Sequence, residues 1–254
     1  YGVVVDAGSS GTRVYVFRWP QDDPLGIEQV GWQRWRPGLS SLATEDTVGT
    51  PGALEAATVA DLEKVVVPTD AHSSTPIMLM ATAGLRLLPI EQAERILDGA
   101  RTALSASPFV FDDGHKWATI LPGQQEAVYM WTSAQVLKGS LGTDAQITTL
   151  DLGGGSTQIA APLPASASSD VVANVDILTP SGEYTRTRLL AVSFLGLGQN
   201  EAFASYLKWY ANTQEDEGGC PCLLLNQVEG DVAGLTAPDS QSFKRCRKSV
   251  VEFM

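Results

Sequence analysis

The sequence predicts an α/β chain folded as two lobes of one duplicated plan around a central cleft, and three observations carry that expectation. Apolar runs of strand length with period-two alternation are interleaved with segments of helical spacing. An apolar strand, an Asp, a small-residue turn, a Thr and a second strand occur together twice, displaced by 145 positions from Asp6 to Asp151. The length of 254 residues, 44% of them apolar, suffices for one large domain or two modest ones. The charged share of 18% lies below the roughly 25% of an average soluble chain. No run of about 18 uninterrupted apolar residues occurs. Disorder of the chain and a membrane span within this stretch are both excluded as readings.

Taken in order, Val3–Val5 is a short apolar strand ending at Asp6, and Arg13 to Trp19 alternates with period two. Ile27 to Trp35 supplies a third strand, so an antiparallel meander is expected. After the Thr50-Pro51 helix-start signal, Leu54 to Val67 has helical spacing. Ile77 to Ala81 reads as a buried strand. Ile90 to Leu104 reads as an amphipathic helix with Ile90, Ala93, Ile96, Leu97, Ala100 and Leu104 on one face. The polar turn Asp112–His115 marks the expected boundary between lobes at 1–115 and 116–254. The pattern then restarts with a helix from Gln124 to Leu137, strands Ile147–Leu152 and Thr157–Ala161, and a loop over Pro164–Asp170. Strands Val171–Leu178 and Tyr184–Phe194 and a helix from Asn200 to Tyr210 follow. The signal fades beyond Thr213. Tyr1 stands where an initiator Met would, and the second lobe is expected to be incomplete. Any leader or membrane anchor would lie in the missing termini.

Charge and motif content narrow the chemistry. The chain carries 17 Lys+Arg against 29 Asp+Glu, a net charge of −12, which argues against a nucleic-acid partner. The one dense basic run, Lys244, Arg245, Arg247 and Lys248, reads as a solvated face. The two histidines, His72 and His115, lack a His or Cys partner at zinc-ligand spacing. Neither G-x-S-x-G nor G-x-x-x-x-G-K-[ST] occurs, so an α/β-hydrolase and a P-loop NTPase lose their main support. The three cysteines, Cys220, Cys222 and Cys246, leave several pairings open: one disulfide and an odd thiol, a partner beyond Met254, or three free thiols.

The repeat itself has a chemical logic. In Val4–Thr12 and again in Thr149–Thr157, small turn residues let backbone N–H groups point at an anion, and the Asp at the strand end offers a hard oxygen to a divalent cation. Either copy alone also reads as a tight hairpin. Two further segments lie between the copies. Met80–Arg86 follows a strand and opens a helix, so Thr82 and the amides of Ala83 and Gly84 read either as a phosphate contact or as an ordinary helix cap. Pro122–Trp131 puts Glu126 in the first turn of a helix, where it reads as a dipole-complementing carboxylate or as a general base.

Together DAGSSGTR at Asp6–Arg13, ATAGLR at Ala81–Arg86, GQQEAVYMW at Gly123–Trp131 and DLGGGSTQ at Asp151–Gln158 resemble the motifs of the apyrase, or nucleoside triphosphate diphosphohydrolase, family. These are the GDA-type nucleotide phosphatases of the actin and hexokinase superfamily. Phe194–Ala202 resembles the segment that follows, and Ala127 and Met130 stand where the family usually has Gly. The resemblance implies two RNase H-like lobes around a nucleotide cleft and cation-dependent removal of the terminal phosphate from nucleoside tri- or diphosphates. It implies phosphate contacts from Ser9, Ser10, Gly11, Thr12 and Arg13, and from Gly154, Gly155 and Ser156. It implies Asp6 and Asp151 around Mg²⁺ or Ca²⁺ through waters, and Glu126 as base for a water held by Ser156 and Gln158. Thr82 and Ala83 would stabilise the developing charge. It also implies a Cys222–Cys246 disulfide with Cys220 spare, and a setting in the secretory lumen, at the cell surface or outside the cell. An exopolyphosphatase-like hydrolase and a non-hydrolytic actin-like nucleotide-binding module are the competing readings.

Overall fold

A computed structural model describes residues 1–23, 26–35, 38–42, 67–112, 116–164, 166–167, 172–179, 182–213, 219–223, 235 and 243–254. The helix expected at Leu54–Val67 lies outside them except for Val67. They divide into two units, Tyr1–Gly198 and Gln199–Met254.

The first unit holds two sheets. In the first, β1 (Gly2–Gly8), β2 (Gly11–Arg18), β3 (Glu28–Trp35), β4 (Ile77–Ala81) and β5 (Ala118–Ile120) lie in the order β3-β2-β1-β4-β5. The β1-β2-β3 meander is antiparallel as expected, while β4 runs parallel to β1 and β5 parallel to β4. Strand alternation sends Val3, Val5 and Ala7 of β1 and Val14 and Val16 of β2 into the core, and therefore turns Asp6 and Arg13 to the opposite face. A one-turn helix α1 (Ala83–Arg86) leads to α2 (Ile90–Ser105). Ala93, Ile96, Leu97, Ala100 and Leu104 of α2 join the sheet's apolar face in one core. Ile90, expected on that face, is exposed, since it opens the helix directly after Pro89 and precedes the packed stretch. Strand β5 was not anticipated; it continues the first sheet to Ile120, past the expected lobe boundary.

The second sheet comprises β6 (Thr149–Leu152), β7 (Ser156–Pro162), β8 (Val172–Leu178) and β9 (Tyr184–Leu195), ordered β6-β7-β9-β8 with every neighbour antiparallel. Helix α3 (Gly123–Lys138) packs against β7 and β9, burying Ala127, Val128 and Trp131 with Ala160, Leu189 and Ala191. Met130 packs at the margin of that core, so the side chains at 127 and 130 are accommodated beneath the helix. Ile147, expected in β6, stands outside it. Its carbonyl accepts from the Trp131 indole at 2.8 Å and the Gln135 amide at 2.9 Å, which tie it to α3.

The second unit contains α4 (Gln199–Thr213) and α5 (Phe243–Phe253). Tyr206, Leu207, Tyr210, Cys220 and Leu223 form its core, and the Tyr206 hydroxyl is hydrogen-bonded to Ser249 Oγ at 2.9 Å. Cys222 and Cys246 are joined by a disulfide and Cys220 is a buried free thiol. Helix α5 was not anticipated. Lys244, Arg245, Arg247 and Lys248 lie exposed along it, as a solvated face would.

Candidate active site

Strand periodicity builds the site. On β7, Ser156, Gln158 and Ala160 share the face that covers α3; on β9, Leu189, Ala191 and Ser193 do the same. The inner part of that face is apolar, and its end beneath the first turn of α3 is polar. Glu126, in that first turn, meets this polar end. Gln158 Nε2 lies 3.0 Å from Glu126 Oε2, 2.6 Å from Ser156 Oγ and 3.0 Å from Ser193 Oγ. Ser193 is the cross-strand partner of Gln158.

The same carboxylate oxygen is reached from the first sheet's side. Arg86, at the end of α1, donates from Nη2 to Glu126 Oε2 at 2.6 Å and to Ser156 Oγ at 3.0 Å, and from Nη1 to the Leu121 carbonyl at 3.1 Å. Oε2 is thus committed twice, whereas Oε1 accepts no hydrogen bond from the described residues. Burial pushes the Glu126 carboxyl above its ordinary pKa; Arg86 pulls it down, and the negative charges of Asp151 and Asp6 push it up again.

The two copies of the repeat become two hairpins, β1–β2 and β6–β7. The register sets Asp6 opposite Arg13 in one and Asp151 opposite Gln158 in the other. In the first hairpin Ser9 and Ser10 form the turn, while Gly11 and Thr12 are already ladder residues. In the second, the Gly153 amide donates to the Ser156 carbonyl at 3.0 Å, leaving Gly154 and Gly155 at the tip. The tips approach closely. A Cβ on Gly155 would stand 2.9 Å from Ala83 Cβ and 3.3 Å from Ser9 Cβ, and one on Gly84 would stand 2.9 Å from Ser9 Cα. The second tip is braced from behind, where Gly196 N donates to Gly155 O at 2.9 Å and Thr157 Oγ1 to Leu197 O at 2.7 Å.

Thr82 is the residue before α1; its amide donates to Ala7 O at 3.1 Å, and its side chain makes no capping bond. Arg13 lies 3.5 Å from Asp6 Oδ2. Burial raises the Asp6 pKa, Arg13 opposes that shift, and Asp151 adds to it. Asp6, Asp151 and Glu126 therefore share one field that two guanidinium groups only partly offset, and this excess of hard carboxylate oxygen fits a divalent cation. Among the described residues no three His, Cys, Asp or Glu converge closely enough to hold an ion directly.

The profile of the GDA1/CD39 (nucleoside phosphatase) family matches residues 1–254. The chain belongs to that family. It is 36% identical over 232 residues to human ectonucleoside triphosphate diphosphohydrolase 6, covering 88% of this chain and 46% of the relative. It is 30% identical over 275 residues to the Golgi apyrase of Schizosaccharomyces pombe, covering 98% and 47%. The fold matches that of a nucleoside triphosphate hydrolase from Neospora caninum with a TM-score of 0.63 at 21% identity, covering 87% of this chain and 49% of that one. This GDA1/CD39 chain thus spans about half the length of the proteins it matches. Among its described residues no helix is long and apolar enough to cross a membrane.

Of the residues singled out in the sequence of this GDA1/CD39 member, Glu126, Ser156 and Gln158 form one bonded cluster. Ser9, Ala83 and Gly155 meet at one point. Arg13 contacts Asp6 and stands outside the Glu126 cluster. Two members of the cluster were missed. Arg86 was quoted within ATAGLR without a role, although a lone Arg closing a one-turn helix was a usable signal. Ser193 had no signal, because only the β7–β9 register brings it to Gln158.

Proposed function

We propose that this chain carries the centre that hydrolyses the terminal phosphoanhydride of nucleoside tri- or diphosphates with Mg²⁺ or Ca²⁺, with the first sheet in one nucleotide-facing lobe and the second sheet in the other. The observation that carries the reading is the Glu126 carboxylate, held by one oxygen and open at the other. A general base needs that arrangement: fixed position, an oxygen without a hydrogen bond from the described residues, and a pKa raised by burial.

On this reading the water hydrogen-bonds to Glu126 Oε1 and is held by Ser156 and Gln158. Oε1 takes its proton as the oxygen attacks the terminal phosphorus. The phosphoanhydride P–O bond breaks on the opposite side, releasing inorganic phosphate and the shortened nucleotide. The amides of the Ser9–Thr12 and Gly154–Ser156 segments cradle the phosphates, with Arg13 adding positive charge. Thr82, whose hydroxyl is not spent on a cap, and the Ala83 amide receive the charge that develops on the transferring group. Asp6 and Asp151 would hold a hydrated divalent cation, which would neutralise charge on the phosphates. The ecto and Golgi relatives support a setting in the secretory lumen, on the cell surface or outside the cell.

The test is a phosphate-release panel over ATP, ADP, UDP, GDP and long-chain polyphosphate, with Mg²⁺, with Ca²⁺ and with a chelator. Release from nucleotides that is abolished by the chelator is expected. Undiminished release in the chelator, or release from polyphosphate alone, overturns the assignment.

A further inference from the structure

We propose that Arg86 is a positioning residue of the hydrolytic centre, one whose guanidinium fixes Glu126 Oε2 so that Oε1 alone is presented to the water. The inference rests on the reading of Glu126 as base and adds a residue to which that reading gives no part. Three observations carry it. Arg86 Nη2 contacts both Glu126 Oε2 and Ser156 Oγ, so one nitrogen spaces the base from the hydroxyl that would hold the water. Nη1 is anchored on the Leu121 carbonyl, in the segment that leads into α3, so the guanidinium cannot turn without losing that bond. The side chain is almost withdrawn from solvent, at 11% exposure, which leaves the charge little screened.

The groups around Glu126 come from several elements: Arg86 from α1, Ser156 and Gln158 from β7, Ser193 behind Gln158 on β9, and the charges of Asp151 on β6 and Asp6 on β1. Arg86 is the only cation among them, and burial and both aspartates act against it. Without it, the base holds its proton to higher pH. A guanidinium beside a carboxylate typically lowers its pKa by about 1 to 3 units, and its removal shifts the acid limb of turnover upward by that amount.

The experiment compares kcat against pH, KM and nucleotide binding for the wild type, Arg86→Gln, Arg86→Lys and Glu126→Gln. For Arg86→Gln the acid limb is expected to move up by about 1 to 3 pH units, with kcat recovering on the alkaline side and KM and nucleotide affinity within a few-fold of wild type. Arg86→Lys keeps a charge but cannot reproduce the forked contacts, and an intermediate shift is expected; it also serves if Arg86→Gln fails to fold. An unmoved acid limb in both variants overturns the inference. So does a tenfold or greater loss of nucleotide affinity, which would make Arg86 a phosphate ligand. Glu126→Gln separates this from the parent reading: activity surviving in Glu126→Gln removes the base itself. A dead Glu126→Gln beside an unmoved acid limb in the Arg86 variants removes only the role given to Arg86.

Discussion

A single carboxylate oxygen decides the chemistry at the residue scale. Glu126 Oε2 is bound by Arg86 and Gln158, so on the proposed reading the proton goes to Oε1. Glu126→Ala is expected to lower kcat about 10² to 10⁴-fold, the usual loss of a positioned base, with nucleotide affinity little changed. Isothermal titration with a non-hydrolysable analogue, beside steady-state rates, checks both halves. The sign of the pH effect follows from burial. The carboxyl lies above its ordinary value and, as the proposed base, would act only when ionised, so wild-type turnover should fall as the pH drops through a point above the ordinary glutamate range. The sequence made Glu126, Ser156 and Gln158 legible because each sits in a motif with a stated strand or helix position. Ser193 was not legible, since its importance comes from register: it faces Gln158 across β7 and β9, 35 residues away along the chain.

Among the elements, hairpins and helices were readable wherever their partners were close in sequence. The β1-β2-β3 meander and the α2 core face followed from alternation and helical spacing. Strand β5 escaped because it is three residues long and its partner β4 is parallel and distant. Helix α5 escaped because its buried side is narrow, with Ser249 as its one fully buried residue amid a basic run. Periodicity could not reveal how tightly the two turns and α1 meet. Gly155→Ala tests that contact. The new methyl would sit 2.9 Å from Ala83 Cβ, 3.2 Å from Leu87 Cδ1 and 3.3 Å from Ser9 Cβ, so one element must shift. A loss of about 1 to 3 kcal/mol is expected from such overpacking, read as a lower melting temperature, together with reduced turnover. A variant as stable and active as wild type would show that the tips can separate without consequence.

Across the whole molecule, stability is unevenly provided. The first unit has two sheet-and-helix cores, whereas the second relies on a small aromatic cluster and the Cys222–Cys246 bridge. A crosslink with a sequence separation of 24 restricts the unfolded chain enough to stabilise by about 3 kcal/mol. Cys222→Ala with Cys246→Ala, or reduction, should therefore loosen the second unit first. Hydrogen exchange would register this as faster amide exchange in Gln199–Met254, with the sheet cores of Tyr1–Gly198 unchanged. The repeat at 145 positions forms two hairpins, and their register carries a consequence of its own. The same site on each hairpin faces an aspartate, but one copy holds the cation Arg13 and the other the neutral amide Gln158. The hairpin is thus doubled while its charge is not. On the proposed reading an anion between the hairpins would meet unlike ends, and the duplicated hairpin acquires a head and a tail.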